Sequence, residues 1–513
     1  MNDSMEFIHP LYHWPPRFMW REKRHNSLKW GNTSVYLHYP FCRYLCDFCG
    51  YETRLVNGRV SKTFPVNLAQ QINFLANVDD FSAANLESVF FGGGTASIIP
   101  EKAIAKILHQ IDADIGDTRT AEVTLECEPG TIKRQKLLSV QKLGVSRISV
   151  CAQSFDDTVL QRSGRKHTAA DALDLVDMCS EIGFQDIHVD LIYGLPGQSW
   201  ASWVSTIDLL VKLPIHHVSI YKLYVYRHGK LDRAASTDPA ISTMPPLDEL
   251  KAMHDYAQQA LQTNGFDQYT LTEYARCGHQ SRYIDATFGQ SDVMPIGPGA
   301  FGKCGVHLWE NEPSIPGYAA NSVKLPAHAL ELTPFEAFRR SVILGLWRLG
   351  VDLAVTAAKF GVHPSRELYT TLHQLAREGF IHLTGDVITL ATEQRFNAGL
   401  VMDTLAQLPI GQWCSDAPAA ESVDLLRNDT PHVRKITTLL KMARRDRELY
   451  SEIVRDPTNA LMKYGVPVDT PEAVEIIAII LGAQKSIDRP LLLSSWNNVL
   501  EARRLDGDGR AAS

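Results

Sequence analysis

Three of the chain's nine cysteines fall within eight residues, in Tyr39-Pro40-Phe41-Cys42-Arg43-Tyr44-Leu45-Cys46-Asp47-Phe48-Cys49-Gly50. The spacing is C-x3-C-x2-C. Three soft thiolates on one loop suit an iron–sulfur cluster, because such clusters are held mainly by cysteine sulfur. With three ligands on a four-iron cluster, one iron stays open to a substrate or cofactor. A tetrahedral zinc site needs a fourth ligand, which His38 can in principle supply. The other six cysteines, Cys127, Cys151, Cys179, Cys277, Cys304 and Cys414, are scattered singly and read as small buried apolar residues. An odd number of cysteines spread over 513 residues argues against a disulfide framework.

The elements around that loop read as alternating strands and helices. Short β-branched runs lie at 34–38, 88–91, 122–126, 147–150, 187–192 and 218–221, and helical patterns such as Ala169 to Ile182, stopped by Gly183, lie between them. Six nearly continuous apolar strands separated by helices predict a parallel sheet covered by helices, open or closed into a barrel. Chemistry then belongs at the strand ends, in the βα loops. The division expected along the chain is an N-terminal arm over 1–32, the repeat region over 33–230, an extension and linker over 231–330, a module over 331–400 and a tail over 401–513. In 331–400, a helical pattern closed by hairpin runs at 379–383 and 386–390 looks like a winged helix. The tail is helical in pattern and reads as disordered at its end.

Composition bounds the function. With 51 Lys+Arg against 58 Asp+Glu, the net charge is −7, which leaves no basic footprint for nucleic acid. No run of 18 apolar residues exists, so no spanning helix is expected. The start, MNDSMEFIHPLYHWPP, lacks the basic and apolar blocks of a signal peptide. A soluble, cytoplasmic protein without nucleic-acid or membrane partners is the expectation.

The cysteine motif after the first strand, with Tyr36-Leu37-His38-Tyr39-Pro40-Phe41 before it, resembles the radical S-adenosylmethionine (radical SAM) enzymes, and within them the oxygen-independent coproporphyrinogen III oxidase-like family. The resemblance covers about residues 33–400 and is most specific up to residue 196. It implies a partial (β/α)6 TIM-like barrel, a C-terminal winged-helix-like module and, in this chain, an extra helical tail. Also implied are a [4Fe–4S] cluster on Cys42, Cys46 and Cys49, two SAM molecules, and reductive cleavage of SAM to a 5′-deoxyadenosyl radical, the chemistry being the cofactor's.

Further motifs then take expected roles. Phe91-Gly92-Gly93-Gly94-Thr95 matches the family's SAM-binding turn, so Gly93, Gly94 and Thr95 are candidates; alone, a glycine triplet is as often a tight turn. Glu126 ends the third strand and matches a SAM-contacting glutamate, with a rim salt bridge as the plain alternative. Gln153 and Arg165 keep the family spacing, and Arg165 is a cation able to pair with a methionyl carboxylate. Asp190, in Asp190-Leu191-Ile192-Tyr193-Gly194-Leu195-Pro196, stands on an otherwise apolar strand where an unpaired charge is expensive, so it must have a partner. Tyr36 and Phe48 match positions that pack on SAM, and Tyr224 one that meets a second SAM through its backbone.

Three activities share this template. Authentic oxidases carry a fourth cysteine where this chain has Tyr51, and a longer N-terminal arm. The heme-trafficking branch usually has Asp-Phe after the third cysteine, where this chain has Gly50-Tyr51. Cys-Gly-aromatic looks more like the radical methyltransferase branch, which includes anaerobic heme-degrading enzymes. The favoured expectation is radical methyl or methylene transfer to an sp2 carbon of a porphyrin-like or other conjugated substrate, with flavodoxin or ferredoxin as electron donor. Decarboxylation of coproporphyrinogen III and heme chaperoning, with His38, His279 or His307 as axial ligand, are the alternatives. Within the tail, Leu449 to Pro467 faintly resembles leader segments of modified peptides, which leaves a peptide substrate open.

Overall fold

The computed structural model describes residues 27–51, 53–56, 64–225, 230–231, 245–321, 328–408, 410–416 and Lys463. It contains a mixed sheet built on β1 (Asn32–Tyr39), β2 (Asn85–Gly93), β3 (Glu122–Cys127), β4 (Arg147–Gln153), β5 (Asp186–Tyr193) and β6 (His217–Lys222). These strands pair in parallel, as the apolar runs predict, and in sequence order. Helices α1 (Pro65–Val78), α2 (Glu101–Asp114), α3 (Arg134–Lys142), α4 (Asp157–Arg162), α5 (Ala169–Ile182) and α6 (Trp200–Leu210) connect them. This is a partial (β/α) barrel with added helices.

Pleating sorts the side chains. Val35, Leu37, Val89, Phe91, Val123, Leu125, Ile148, Val150, Val189, Leu191 and Val218 are fully buried on the helix-covered face. The alternate positions carry the polar groups, because a strand's side chains switch faces at every residue. Tyr36, Glu126, Cys151, Gln153, Asp190 and Tyr221 are all partly exposed on that inner face. Helix α5 obeys its local signals: Thr168 and Asp171 form a capping box, and Gly183 takes a left-handed φ of 82° as C-cap.

The sheet extends beyond the six expected strands. Asp292–Ile296 (β8) pairs in parallel with the outer edge of β1, and an antiparallel ladder of β9 (Phe301–Cys304), β10 (His307–Glu310) and β11 (His328–Glu331) continues from it. On the far side, β7 (Glu273–Ala275) runs antiparallel to β6. A strand at 292–296 was not expected, because Pro295 has no N–H for a ladder and usually marks an edge. Farther along, helices Pro334–Trp347, Leu353–Phe360 and Arg366–Arg377 accompany a three-stranded antiparallel sheet of Gly350–Asp352, Val387–Leu390 and Ile381–Thr384. These elements give the C-terminal region the helix-and-strand make-up that was expected of it.

The chain divides into two compact units, one of Glu22–Gly361 with Thr371–Ala406, the other of Met1–Arg21, Val362–Thr370 and Gln407–Ser513. In the second, Ser365 bonds Trp413 and Gln412 through its N–H and hydroxyl. The start of the arm, most of the 231–246 linker, and the tail beyond 416 except Lys463 lie outside the described residues, including its leader-like segment and its end. Among the described residues, no helix is long and apolar enough to cross a membrane.

Candidate SAM and iron–sulfur site

The cysteine loop leaves the C-terminal end of β1 and is clamped by the glycine turn at the end of β2. Gly94 N–H donates to Tyr39 O at 2.8 Å and Thr95 N–H to Phe41 O at 3.0 Å. A Cβ on Gly94 would lie 2.9 Å from both Cys42 Sγ and Phe41 O, so only glycine fits. Gly94→Val is expected to cost about 1–3 kcal/mol through overpacking against backbone. It should also lower iron uptake on reconstitution; wild-type stability and iron content in this variant would show that the clamp is unimportant.

Other contacts brace the loop from the side. Asp47 N–H reaches Ser163 O at 3.2 Å, and the short strand Phe41–Cys42 pairs with Arg54–Leu55. Arg165, in the link between α4 and α5, places Nη1 3.1 Å from Cys46 Sγ and Nη2 2.8 Å from Cys151 O. Its Nη2 also lies 3.3 Å from Glu128 Oε1. Glu128 accepts hydrogen bonds from the Tyr44 and Thr95 hydroxyls as well. Burial pushes the Cys42 thiol up to about 12, with Cys49, Cys46 and Glu128 adding to the rise and a hydrogen bond to Thr95 opposing it. Ligation must therefore supply the energy to deprotonate it.

The donor set fits a cluster. Three thiols lie on one loop with a guanidinium at Cys46 to offset anionic sulfur. Among the described residues, the trio of His, Cys, Asp or Glu donors lying mutually within 4.8 Å is His188, His217 and Glu273, not the three cysteines.

Next to the loop, the inner face carries two deep carboxylates. Glu126 Oε2 accepts from Gly93 N–H at 3.0 Å. Burial, and then the charge of Asp190, raises the Glu126 carboxyl to about 8. Asp190 accepts from Ser149 Oγ at 2.6 Å and lies 3.3 Å from His188 Nε2. The partner it required on an apolar strand is therefore protein. Burial alone would raise Asp190, but the charge of His188 and hydrogen bonds from His188 and Ser149 outweigh it and hold the carboxyl low. Gln153 ends β4 with a φ of 67°, beside the bulge between Val150 and Gln153. For a side-chain-bearing residue that conformation costs about 1–2 kcal/mol, a strain that collects at functional sites.

The chain is also similar to known proteins. The radical SAM superfamily profile matches residues 36–210. The heme chaperone HemW of Escherichia coli (strain K12) is 30% identical over 271 residues, 53% of this chain and 70% of that protein. That of Haemophilus influenzae is 30% identical over 280 residues, again 70% of its length. The chain belongs to the radical SAM superfamily, in its HemN/HemW-like family. HemW of Bacillus subtilis (strain 168) is 26% identical over 372 residues, covering 70% of this chain and 94% of that one. The solved coproporphyrinogen III oxidase HemN of Escherichia coli shares the fold, with a TM-score of 0.63 at 20% identity over 74% of this chain and 91% of that one.

In this radical SAM fold, a structure capable of binding SAM and a cluster, most of the expected residues gather at one end of the sheet. Tyr36, Gly93, Gly94, Thr95, Glu126, Gln153 and Asp190 sit at or near the C-terminal ends of β1 to β5, beside the cysteine loop. Tyr36 stacks on Tyr283 at 5.5 Å and its hydroxyl lies 3.1 Å from His38 Nδ1. Phe48 packs against the apolar cluster of Val159, Ile192, Leu195, Leu223 and Leu231, and Tyr224 follows β6 by two residues. Arg165, expected to pair with a carboxylate, lies against Glu128 and Cys46 at the cysteine loop. Sequence reading passed over Glu128, although it stands two residues beyond Glu126, just past the end of β3.

Of the proposed axial histidines, His38 lies at this end and is buried. His279 lies at the other, where its Nδ1 is 2.6 Å from Asp186 and Arg147 bridges Glu122 and Asp186 at 2.9 and 3.5 Å. His307 begins β10, in the added ladder. The isolated cysteines divide: Cys127, Cys179, Cys304 and Cys414 are buried as expected, Cys151 faces the inner concavity, and Cys277 is exposed in the turn after β7. A turn offers no core for Cys277 to join.

Proposed function

We propose that this chain holds a [4Fe–4S] cluster on Cys42, Cys46 and Cys49, binds SAM beside it, and acts on heme as a heme-handling protein of the HemW type. The observation that carries the heme reading is the similarity to the Bacillus subtilis heme chaperone over 94% of that protein's length. A cluster with an open iron supplies the electron that cleaves SAM. The chain's own part is to position and to exclude water. Gly93, Gly94 and Thr95 bring backbone close to the ligand, and Gln153 turns its backbone toward it. Glu126 and Asp190 favour a positive group, such as SAM's sulfonium or ammonium; Tyr36, Phe48 and Tyr224 add contact surface. Arg165 works through Cys46 and Glu128 rather than on SAM's carboxylate.

A second reading, radical methyl transfer to a porphyrin-like substrate with a second SAM, is favoured by Gly50-Tyr51 after the third cysteine and by room in the charge pattern for a second sulfonium. Tyr51 at the fourth-cysteine position counts against the coproporphyrinogen dehydrogenase. Flavodoxin or ferredoxin is the electron donor in either enzymatic reading.

One anaerobic experiment separates them. The reconstituted chain is titrated with heme, then incubated with SAM, a reductant and heme or coproporphyrinogen III. The chaperone reading expects stoichiometric heme binding with a shifted Soret band and no methylated product. S-adenosylhomocysteine formed together with 5′-deoxyadenosine would replace it with methyl transfer. Deoxyadenosine with CO2 released from the porphyrinogen would replace it with the dehydrogenase.

A further inference from the structure

Behind Asp190, the inner face carries one continuous hydrogen-bonded chain. His188 precedes Asp190 by two residues on β5, so both point inward. Its Nε2 lies 2.6 Å from Ser219 Oγ and 3.3 Å from Asp190 Oδ1. Ser219 donates to Glu273 Oε2. Glu273 Oε1 accepts from Tyr221 OH at 3.1 Å and from Thr272 Oγ1 at 3.0 Å. The sheet register makes this chain: His188 faces His217, Asp190 faces Ser219, and Ser219 faces Glu273. His188, Ser219 and Glu273 are 2%, 0% and 2% exposed, so water does not compete for these bonds.

The direction of the bonds follows from what each group can offer. Ser219 has a single hydroxyl hydrogen, and the Glu273 carboxylate takes it. The remaining lone pairs of Ser219 must accept from His188, which places a proton on Nε2. The same Nε2 lies 3.3 Å from Asp190 Oδ1, so its hydrogen is shared between Ser219 Oγ and the carboxylate. Glu273, through Ser219, thereby keeps a proton on Nε2 whether the ring is neutral or cationic, and a donor, not a lone pair, is turned to Asp190. The trio of His188, His217 and Glu273 has the spacing of a divalent-ion site, but Ser219 Oγ stands among its donors, and His217 Nε2 is engaged with Tyr269 OH at 2.7 Å.

We propose that His188 is a positioning residue whose Nε2–H, oriented by Ser219 and Glu273, keeps the Asp190 carboxylate charged toward the ligand. The inference rests on the reading of Asp190 as a SAM-facing group. The titratable and charged groups around His188 and Asp190 are Glu126 on β3, Arg147 and Cys151 on β4, His217 and Tyr221 on β6, Glu273 on β7 and Tyr269 before it. Burial raises the Glu273 carboxyl, whereas at Asp190 the charge of His188 and hydrogen bonds from His188 and Ser149 outweigh burial and hold the carboxyl low. A carboxylate held low is lost as pH falls through its folded value. Without the His188 donor, burial is less opposed and that loss moves up toward neutral.

The test uses the full chain with its cluster reconstituted and measures SAM affinity from pH 5.5 to 8.5. His188→Leu is expected to raise the acid limb into this range, so that binding weakens several-fold from pH 8.5 to pH 5.5 while the wild type stays flat, with little change at pH 8.5 itself. His188→Gln, whose amide can donate from the Nε2 position, should restore most of the acid affinity. Ser219→Ala, a smaller cut, should move the limb in the same direction. Equal weakening at every pH, or no rescue by His188→Gln, overturns the proposal. Difference infrared spectra of the chain against Asp190→Asn follow the carboxyl directly without SAM. They decide the His188 inference even if wild type binds no SAM, a result that would sink the functional reading alone. Stoichiometric zinc or iron in the Cys42/Cys46/Cys49→Ala protein, lost on His217→Ala, would make the trio a metal site and overturn the relay.

Discussion

Cys46→Ala is expected to lose the brown chromophore on anaerobic reconstitution, with iron falling from about four per chain to near zero. Cys42→Ala and Cys49→Ala should do the same. Three ligands are the minimum the loop offers, and no other described cysteine is close in sequence to replace one; Cys127 and Cys179 are buried behind the strands. SAM cleavage should fall to background in all three variants. Cys277→Ser is the control: that thiol is exposed in a turn, and its loss should leave iron and sulfide unchanged. The reading is wrong if Cys46→Ala retains full iron and sulfide. The prediction is independent of whether heme, methyl transfer or decarboxylation is the protein's business.

Arg165→Met carries the second large effect. Its guanidinium and the Glu128 carboxylate are 6% and 7% exposed, so the variant strands a buried acid beside the cluster loop. Removing one partner of a buried pair costs about 3–5 kcal/mol, because the remaining charge has neither water nor counterion. The loss should be read as a lower urea midpoint of the cluster-free protein, with reduced iron uptake on reconstitution. Arg165→Met combined with Glu128→Gln should recover much of the stability, since no charge is then stranded. Arg165→Lys should fall between, because an ammonium cannot serve Cys46, Cys151 O and Glu128 from one planar fork. A stability change under about 1 kcal/mol for Arg165→Met would show that Glu128 has another source of compensation.

Much of this was legible locally. The thiolate spacing, the apolar runs of β1 to β6 and the glycine turn after β2 are properties of short segments, and each segment's physics is settled by its own residues. Thr168, Asp171 and Gly183 likewise announce where α5 begins and ends. Asp190 was marked by its cost, since a lone acid among Ile, Val and Leu demands a partner. The choice among family activities was less legible. Gly50-Tyr51 points toward methyl transfer, whereas similarity spread over most of the chain points toward heme chaperones.

What the sequence by itself determined, then, is the chemistry available and the six parallel strands, because both are written in short-range spacing and periodicity. Which groups meet was decided only by the tertiary structure. Strand β8 lies against β1 although Pro295 argues against a strand, since the long-range pairing of β1 overrides a local signal. Arg165 meets Glu128, 37 residues earlier in the chain, because the α4–α5 link brings its guanidinium over the cysteine loop. His188, Ser219 and Glu273 come from three segments spanning 86 residues, and no motif joins them. They form one network because register across two strand pairs fixes which side chains face each other, and register is a property of the whole sheet.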